Sequence, residues 1–151
     1  MPINLKELPI GYEFPPVTHV MTPERIRLFC DMHNSTTAGP SGRLQLSPKN
    51  IHIDADYART QGFPNAVATG LITTAWVEAE LRDLFGIGYL EGGKLTNKFI
   101  KPVFADDIVT IKMSLKEKVP EGSAIRFTLD ISCCNQKGEP FVVGFGSGLV
   151  T

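Results

Sequence analysis

His52 is the residue of this sequence best suited to transfer a proton within a functional site. It stands in the run Asn-Ile-His-Ile-Asp at residues 50–54, between an amide and a carboxylate. A histidine side chain titrates near neutrality, so it can take up or release a proton at physiological pH. A single histidine is also often structural, and Asp54 equally suits the N-cap of a short helix over residues 55–61. The run therefore indicates either acid–base chemistry or a structural histidine.

A second candidate site lies in the uncharged stretch between Arg59 and Glu78. The stretch is rich in Thr, Asn and Pro and is too short to span a bilayer, which needs roughly 20 mainly apolar residues. It predicts a loop over residues 62–68 and then a helix from about Thr69 to Phe85. The N-terminus of a helix offers free N–H groups and a positive dipole end, which can stabilise an oxyanion. Small residues there would let a substrate approach the backbone: Ala68, Thr69 and Gly70.

The same helix is the expected centre of the fold. Its first turns are apolar on nearly every side, which predicts burial all round. Gly86 and Gly88 should end the helix, because glycine adopts the left-handed cap easily. Gly70 has a second interpretation, since a glycine can simply allow a helix and a sheet to pack closely. The apolar residues of the first turns are Leu71, Ile72, Ala75 and Trp76.

The remaining elements predict an α+β protein. Pro-rich residues 1–18 suggest one short strand over 11–18, and Thr22 with Pro23 predicts a helix that fades near residues 33–34. Residues 35–49 are a loop by composition. Short turns then join four strand-like runs, which predicts an antiparallel sheet with the long helix packed on one face. These runs are residues 95–104, 108–116, 124–133 and 140–150.

Composition excludes several classes of protein. The chain has 151 residues, which fits one domain over residues 1–151 with a core of its own. Its formal net charge is −1 and its pI is about 6.3, so nucleic acid and anionic membranes are not expected partners.

The cysteines and the N-terminus predict a cytoplasmic location. Cys30, Cys133 and Cys134 are an odd number with two adjacent members, which is not a disulfide framework and suggests a reducing compartment. One of the adjacent pair is expected in the core. No Cys-x-x-Cys zinc spacing occurs, so no metal is expected, and the N-terminus lacks the apolar segment of a secretory signal.

Residues 50–76 resemble the hydratase signature of the MaoC-like dehydratase family, which includes R-specific enoyl-CoA hydratases. The pieces that carry the resemblance are His-x-Asp, Gly-Phe-Pro and Gly-Leu in fixed order, and residues 92–109 are similar to the strand and turn that follow. The resemblance implies the hotdog fold, in which an antiparallel sheet wraps a central helix. It also implies water addition to, or elimination from, the double bond of an acyl thioester on coenzyme A or an acyl carrier protein.

The resemblance also implies roles for individual residues. His52 corresponds to the family's histidine, Asn50 to its asparagine, and Gly70 to the glycine whose N–H supports the thioester oxygen. Ser47 stands where the family has its catalytic Asp, and Thr69 stands where a histidine commonly precedes the glycine. The expected substrate contacts are Ser47, Asp54, Ala68, Thr69 and Leu71.

The missing Asp leaves several functions open. Asp31 or His33 could do its work in a hydratase or dehydratase, or His52 could act alone in another reaction such as an isomerisation. The alternatives are a non-catalytic acyl-binding or partner subunit and a thioesterase. No cofactor is implied by the resemblance, and members of this family usually pair edge to edge, which predicts a homodimer or a higher assembly of dimers. Arg43, Lys94, Lys98 and Lys101 could meet coenzyme A phosphates, although strand lysines usually face solvent.

Overall fold

The structure is a computed structural model that describes residues 4–34 and 50–151. The side chains of His33 and Asn34 and the predicted loop over residues 35–49 lie outside the described residues. A short 3-10 helix at Leu5–Glu7 precedes the main elements. In chain order these are β1 (Val17–Val20), α1 (Pro23–Asn34), α2 (Ala55–Thr60), α3 (Gly70–Phe85), α4 (Ile87–Gly92), β2 (Lys94–Phe99), β3 (Ile108–Glu121), β4 (Ala124–Cys134) and β5 (Pro140–Val150).

The strands form one antiparallel sheet in the order β1-β3-β4-β5-β2. The predicted α+β class is thereby confirmed. β3 is longer than residues 108–116 because it pairs with β4 down to Glu121 opposite Ala124, with a register shift after Leu115. The first strand was predicted over residues 11–18, but β1 is shorter and covers Val17–Val20. It begins only after Pro15 and Pro16, because these residues have no N–H to donate to a neighbouring strand. Only Glu13 forms a bridge, to Ser114, before β1 begins.

Both edges of the sheet contact α3, so the sheet curves around the helix. On the β1 edge, the ring of His19 stacks on Trp76 of α3, with centroids 4.5 Å apart. On the β2 edge, Asn97 Nδ2 donates a hydrogen bond of 3.2 Å to Thr74 Oγ1 of α3. The buried face of α3 carries Ile72, Thr73, Val77, Leu81 and Phe85.

Two glycines of β5 allow α3 to lie directly on the backbone of the sheet. A Cβ at Gly146 would stand 2.6 Å from Leu81 Cδ1, and one at Gly148 would overlap the ring of Phe85. Cβ atoms do not approach other atoms this closely, so the side chains of α3 occupy the space that a larger residue would need. The facing side chains of β3 and β4 complete the core: Val109, Ile111, Met113, Leu115, Phe127, Leu129, Ile131 and Cys133.

The start and the end of α3 differ in part from expectation. Leu71 is 51% exposed and Ala75 is also exposed, so the prediction that the first turns are buried all round was wrong. Gly86 ends α3 with a φ of 55°, as expected. Gly88, in contrast, does not end a helix. It lies within α4, which begins at Ile87, directly after Gly86.

Helix α4 is stabilised by tertiary contacts. A Cβ at Gly88 would collide with the carbonyl oxygen of Leu149, and one at Gly92 would lie 2.6 Å from Leu149 Cδ1. Arg126 of β4 donates a 2.8 Å hydrogen bond to the carbonyl of Gly92. The two glycines therefore permit close packing on β5 within a helix that local sequence would disfavour.

Candidate functional site

Residues 50–54 form a turn that fixes the position of His52. Asn50 Oδ1 accepts a hydrogen bond of 2.8 Å from the backbone N–H of His52. The Asn50 carbonyl accepts from the N–H groups of Ile53 and Asp54. Asp54 caps α2 by accepting from the Tyr57 N–H at 2.9 Å. The interpretation of Asp54 as an N-cap is confirmed, and its capping oxygen is already engaged.

The imidazole of His52 is bonded to the segment that leads into α3. Its Nδ1 lies 2.6 Å from the carbonyl oxygen of Val67. A carbonyl oxygen can only accept, so Nδ1 carries the hydrogen in this contact. Nε2 is then the nitrogen that gains or loses a proton. The Val67 N–H in turn donates to the Ile51 carbonyl at 2.9 Å, which ties the two segments together.

A cavity of about 260 Å³ opens beside His52. Two charged side chains from the first turns of α1, Glu24 and Arg27, line it together with Asn65. Asn65 is held in place because its Nδ2 donates to the Ala105 carbonyl at 3.1 Å. The cavity is therefore lined by a histidine, a glutamate and an arginine that come from two separate segments of the chain. Its other lining residues are Pro23, Ile53, Ala55, Ala66 and Ala105.

A second cavity, of about 290 Å³, lies at the start of α3. Thr69 is the N-cap but makes no side-chain capping hydrogen bond. Its Oγ1 exposes less than 1 Å² and has no hydrogen-bond partner among the described residues. The preceding residue, Ala68, is fixed by a 2.8 Å hydrogen bond from its N–H to the Val103 carbonyl. The lining residues are Ala68, Thr69, Gly70, Thr73, Phe99, Lys101 and Val103.

The sequence-predicted residues are distributed unevenly over these two cavities. His52 lines the first cavity, and Ala68, Thr69 and Gly70 line the second. Asp31 is exposed on α1 and is absent from the described lining of both. Leu71 is exposed and also outside the lining. The roles assigned to the side chain of His33 and to Ser47 lie outside the described residues.

Sequence reasoning missed Glu24 and Arg27 as site residues. Glu24 lies 28 positions before His52 in the chain. Its signal was the i, i+3 spacing with Arg27, which places both on one helix face. That spacing does not reveal which element the face meets.

His19 is partly buried against Trp76. Arg25 lies over the same indole ring, 5.8 Å from its centroid. Burial, followed by the charge of Arg25, lowers the pKa of His19 below its ordinary value of 6.5. His19 Nε2 has no hydrogen-bond partner among residues 4–34 and 50–151. The ring is thus a neutral packing group of the core.

The cysteines are buried and play no part in the candidate site. Cys133 and Cys134 are 0% and 6% exposed, so both members of the pair are in the core where one was expected. A register shift between them explains this, because it breaks the alternation of the strand. Burial raises the pKa of the Cys133 thiol to about 12. Within the described residues, no group of three or more His, Cys, Asp or Glu side chains is placed to hold a metal ion.

An antiparallel sheet curved around one long helix defines this chain as a hotdog-fold protein. Within that class it belongs to the MaoC-like domain family, whose model matches residues 45–131, more than half of the chain. The family resemblance is thereby confirmed. None of the helices within the described residues is long and apolar enough to cross a membrane.

Similar solved structures include two R-hydratases. PhaJ1 from Pseudomonas aeruginosa, in the unliganded form, has a TM-score of 0.71 at 23% identity, over 94% of this chain and 81% of that one. The (R)-hydratase from A. caviae involved in PHA biosynthesis has a TM-score of 0.70 at 18% identity, over 96% and 99%.

A third similar structure is the C-terminally truncated HadBC (3R-hydroxyacyl-ACP dehydratase) complex from Mycobacterium tuberculosis. It has a TM-score of 0.65 at 17% identity, over 97% of this chain and 100% of that one. A search of curated proteins gave no match.

Proposed function

We propose that this protein is a hydratase or dehydratase that acts on an acyl thioester carried by coenzyme A or an acyl carrier protein. The observation that carries the proposal is the hydrogen bond between His52 Nδ1 and the Val67 carbonyl. Val67 stands three residues before Gly70, so this bond ties a proton-transfer group to the start of α3. A proton donor or acceptor beside a helix N-terminus is what addition of water to an unsaturated thioester requires.

The helix start suits the thioester oxygen. During hydration, water attacks the β-carbon, the electron pair of the double bond moves toward the thioester carbonyl, and the α-carbon receives a proton. The negative charge then develops on the thioester oxygen. The N–H groups of Gly70 and Leu71, at the positive end of the α3 dipole, can bind that oxygen because the Thr69 side chain does not occupy them.

His52 suits the proton-transfer step in both directions. The Val67 carbonyl keeps a hydrogen on Nδ1 whether the ring is neutral or charged. Nε2 can therefore give a proton during hydration and take one during dehydration without a change of tautomer. Asn50 holds the backbone of His52 and so acts as a positioning residue in this proposal.

Lys101 is the cation best placed to bind the carrier. It lines the helix-start cavity and stands 4.0 Å from Glu139 in an exposed ion pair. Such a pair contributes little to stability, so the ammonium can exchange this partner for a phosphate. We assign it to the phosphates of coenzyme A or of the acyl carrier protein's prosthetic group.

We further propose that two copies of the chain pair through the β2 edge. β2 ends the strand order of the sheet, and exposed apolar side chains lie on or beside it, including Phe99 and Ile100 at 49% and 44%. An uncovered apolar sheet edge is a pairing surface. Light scattering should find a dimer for the wild type and a monomer for Ile100→Glu. A wild-type monomer would contradict the pairing.

The experiment that tests the proposed reaction follows hydration of crotonyl-CoA by the loss of enoyl-thioester absorbance. Wild type should turn over, and His52→Ala should lower kcat by at least about 10²-fold, the usual contribution of a general acid or base. His19→Phe is the matched control, since it removes a histidine that lines neither cavity and keeps an aromatic ring against Trp76. It should retain wild-type turnover.

Failure of the folded wild type on crotonyl-CoA and on longer enoyl-CoA and enoyl-ACP thioesters would contradict the proposal. It would favour the second candidate, a binding or partner subunit. One of the similar structures, HadBC, is a complex. Equal activity of wild type and His52→Ala would remove His52 from the mechanism.

A further inference from the structure

We infer that Glu24 is the catalytic carboxylate that works with His52, as the general base that activates water. The inference rests on the proposed hydratase function. Glu24 is the one carboxylate that lines the His52 cavity among the described residues. Hydration needs one group to take a proton from water and another to supply a proton to the α-carbon, and a single imidazole cannot do both in one step.

The first turn of α1 sends its charged side chains to opposite sides. Thr22 begins the helix, its Oγ1 accepting a 3.2 Å hydrogen bond from the Arg25 N–H. The Arg25 side chain turns away, donating to the Val20 carbonyl at 2.6 Å. Glu24 and Arg27 share the other face and line the His52 cavity. The N-terminal turns of α1 thus bring Glu24 and Arg27 to the cavity that His52 also lines.

Two features of the structure place positive charge near Glu24. It occupies the first turn of α1, where the positive end of the helix dipole stabilises a carboxylate. Arg27 lines the same cavity and adds a positive charge.

The competing carboxylates are less suitable. Asp54 lies close in sequence to His52, but its carboxylate caps α2 through the Tyr57 N–H. Asp31 lies seven residues beyond Glu24 on the same helix, which is about 10 Å along the axis at 1.5 Å per residue. Among the described residues of α1, those that line the cavity belong to its N-terminal turns: Pro23, Glu24 and Arg27.

The step balances with these two groups alone. Glu24 takes a proton from water as the water oxygen bonds to the β-carbon. The π electron pair moves through the α-carbon toward the thioester oxygen, and protonated His52 gives its Nε2 proton to the α-carbon. The cycle closes when the proton on Glu24 returns to His52 through solvent. Dehydration is the same sequence reversed.

The test measures the pH dependence of kcat for enoyl-CoA hydration in wild type, Glu24→Gln and Glu24→Asp. Wild type should lose activity at both ends of the pH range, because a general base works only when ionised and a general acid only when protonated; the decline on the acid side is the low-pH limb. Glu24→Gln should lower kcat about 10²-fold or more and remove the low-pH limb. Glu24→Asp should keep that limb at a reduced kcat, which a purely structural role would not produce.

Asp56→Asn is the matched control. Asp56 is also an exposed first-turn acid, paired to Arg59 at 2.7 Å with i, i+3 spacing, but it is not in the described lining of the His52 cavity. It should leave kcat and the pH profile unchanged.

The outcomes separate the inference from the function on which it rests. An inactive wild type overturns the proposed function itself. If the wild type is active and Glu24→Gln keeps both a normal kcat and the low-pH limb, only the role of Glu24 is overturned. Circular dichroism checks the fold of each variant, and if Glu24→Gln does not fold, loss of the low-pH limb in folded Glu24→Asp overturns the inference.

Discussion

The ring of Phe99 lies against the backbone of Gly70, so that a Cβ at position 70 would stand 2.8 Å from Phe99 Cε1. One residue is the first of α3 and the other is the last of β2. Both line the cavity at the helix start. The edge strand and the central helix therefore shape one binding space together.

We expect Gly70→Ala to lower kcat/KM for the thioester substrate while it changes the free energy of unfolding only slightly. The Phe99 ring is 49% exposed and can move aside, so the free energy of unfolding should change by less than about 1 kcal/mol. The displaced ring would alter the cavity where the thioester binds. The double variant Gly70→Ala/Phe99→Ala should recover part of the lost kcat/KM. If the effects of the two single substitutions on kcat/KM simply add in the double variant, the contact between residues 70 and 99 is contradicted.

Thr69→Val should leave the free energy of unfolding unchanged or raise it by about 1 kcal/mol, because it removes a buried hydroxyl that has no described partner. An ordinary N-cap threonine would instead lose about 1 kcal/mol. Urea unfolding measures the difference, with Thr69→Ser as the control that keeps the hydroxyl. A clear loss of stability in the valine variant would show that the hydroxyl caps α3.

Stability should fall as the pH is lowered below 6.5 because of His19. Its pKa in the folded protein is lowered from 6.5, first by burial and then by Arg25. The unfolded chain therefore binds the proton at a higher pH than the folded one, so acid favours unfolding in that window and the effect is absent above it. His19→Phe, measured by urea unfolding across the same pH range, should show a smaller decline; an identical decline would contradict the assignment.

The thiol of Cys133 should not react with iodoacetamide in the native protein at mildly alkaline pH. Its pKa is raised to about 12 by burial and, to a smaller degree, by Cys134, and the thiolate is the reactive form. Denaturation in urea should make all three cysteines react. Rapid native labelling of Cys133, located by mass spectrometry, would show that the core opens there.

Much of the fold could be predicted because local sequence and tertiary packing agree. Helix α3 was expected at residues 69–85 and runs from Gly70 to Phe85, and β5 was expected at residues 140–150, where it lies. The central uncharged stretch and its flanking glycines are strong local signals. Helix α4 was missed because its six residues include glycines, and Leu149 and Arg126 stabilise it from distant strands.

The candidate site was predictable only where its residues are close in sequence. Asn50, His52 and the residues around Gly70 carry signals that can be read locally. The position of Glu24 depends on how α1 docks beside the turn at residues 50–54, which no short-range pattern encodes. The bond from His52 to Val67 spans 15 residues and is likewise a product of the fold.

The absence of side chains at Gly146 and Gly148 has a mechanical consequence for the start of α3. These residues set the separation between α3 and the sheet at the C-terminal half of the helix, where Leu81 and Phe85 rest on them. A helix is stiff over this length, so raising one end tilts the other. Alanine at Gly146 or Gly148 would therefore reorient the N–H groups of Gly70 and Leu71 from a position about 16 Å or about 22 Å away along the helix, respectively. In the proposed reaction, the position of the N–H groups that would bind the thioester oxygen would thus depend in part on two glycines outside the described lining of either cavity.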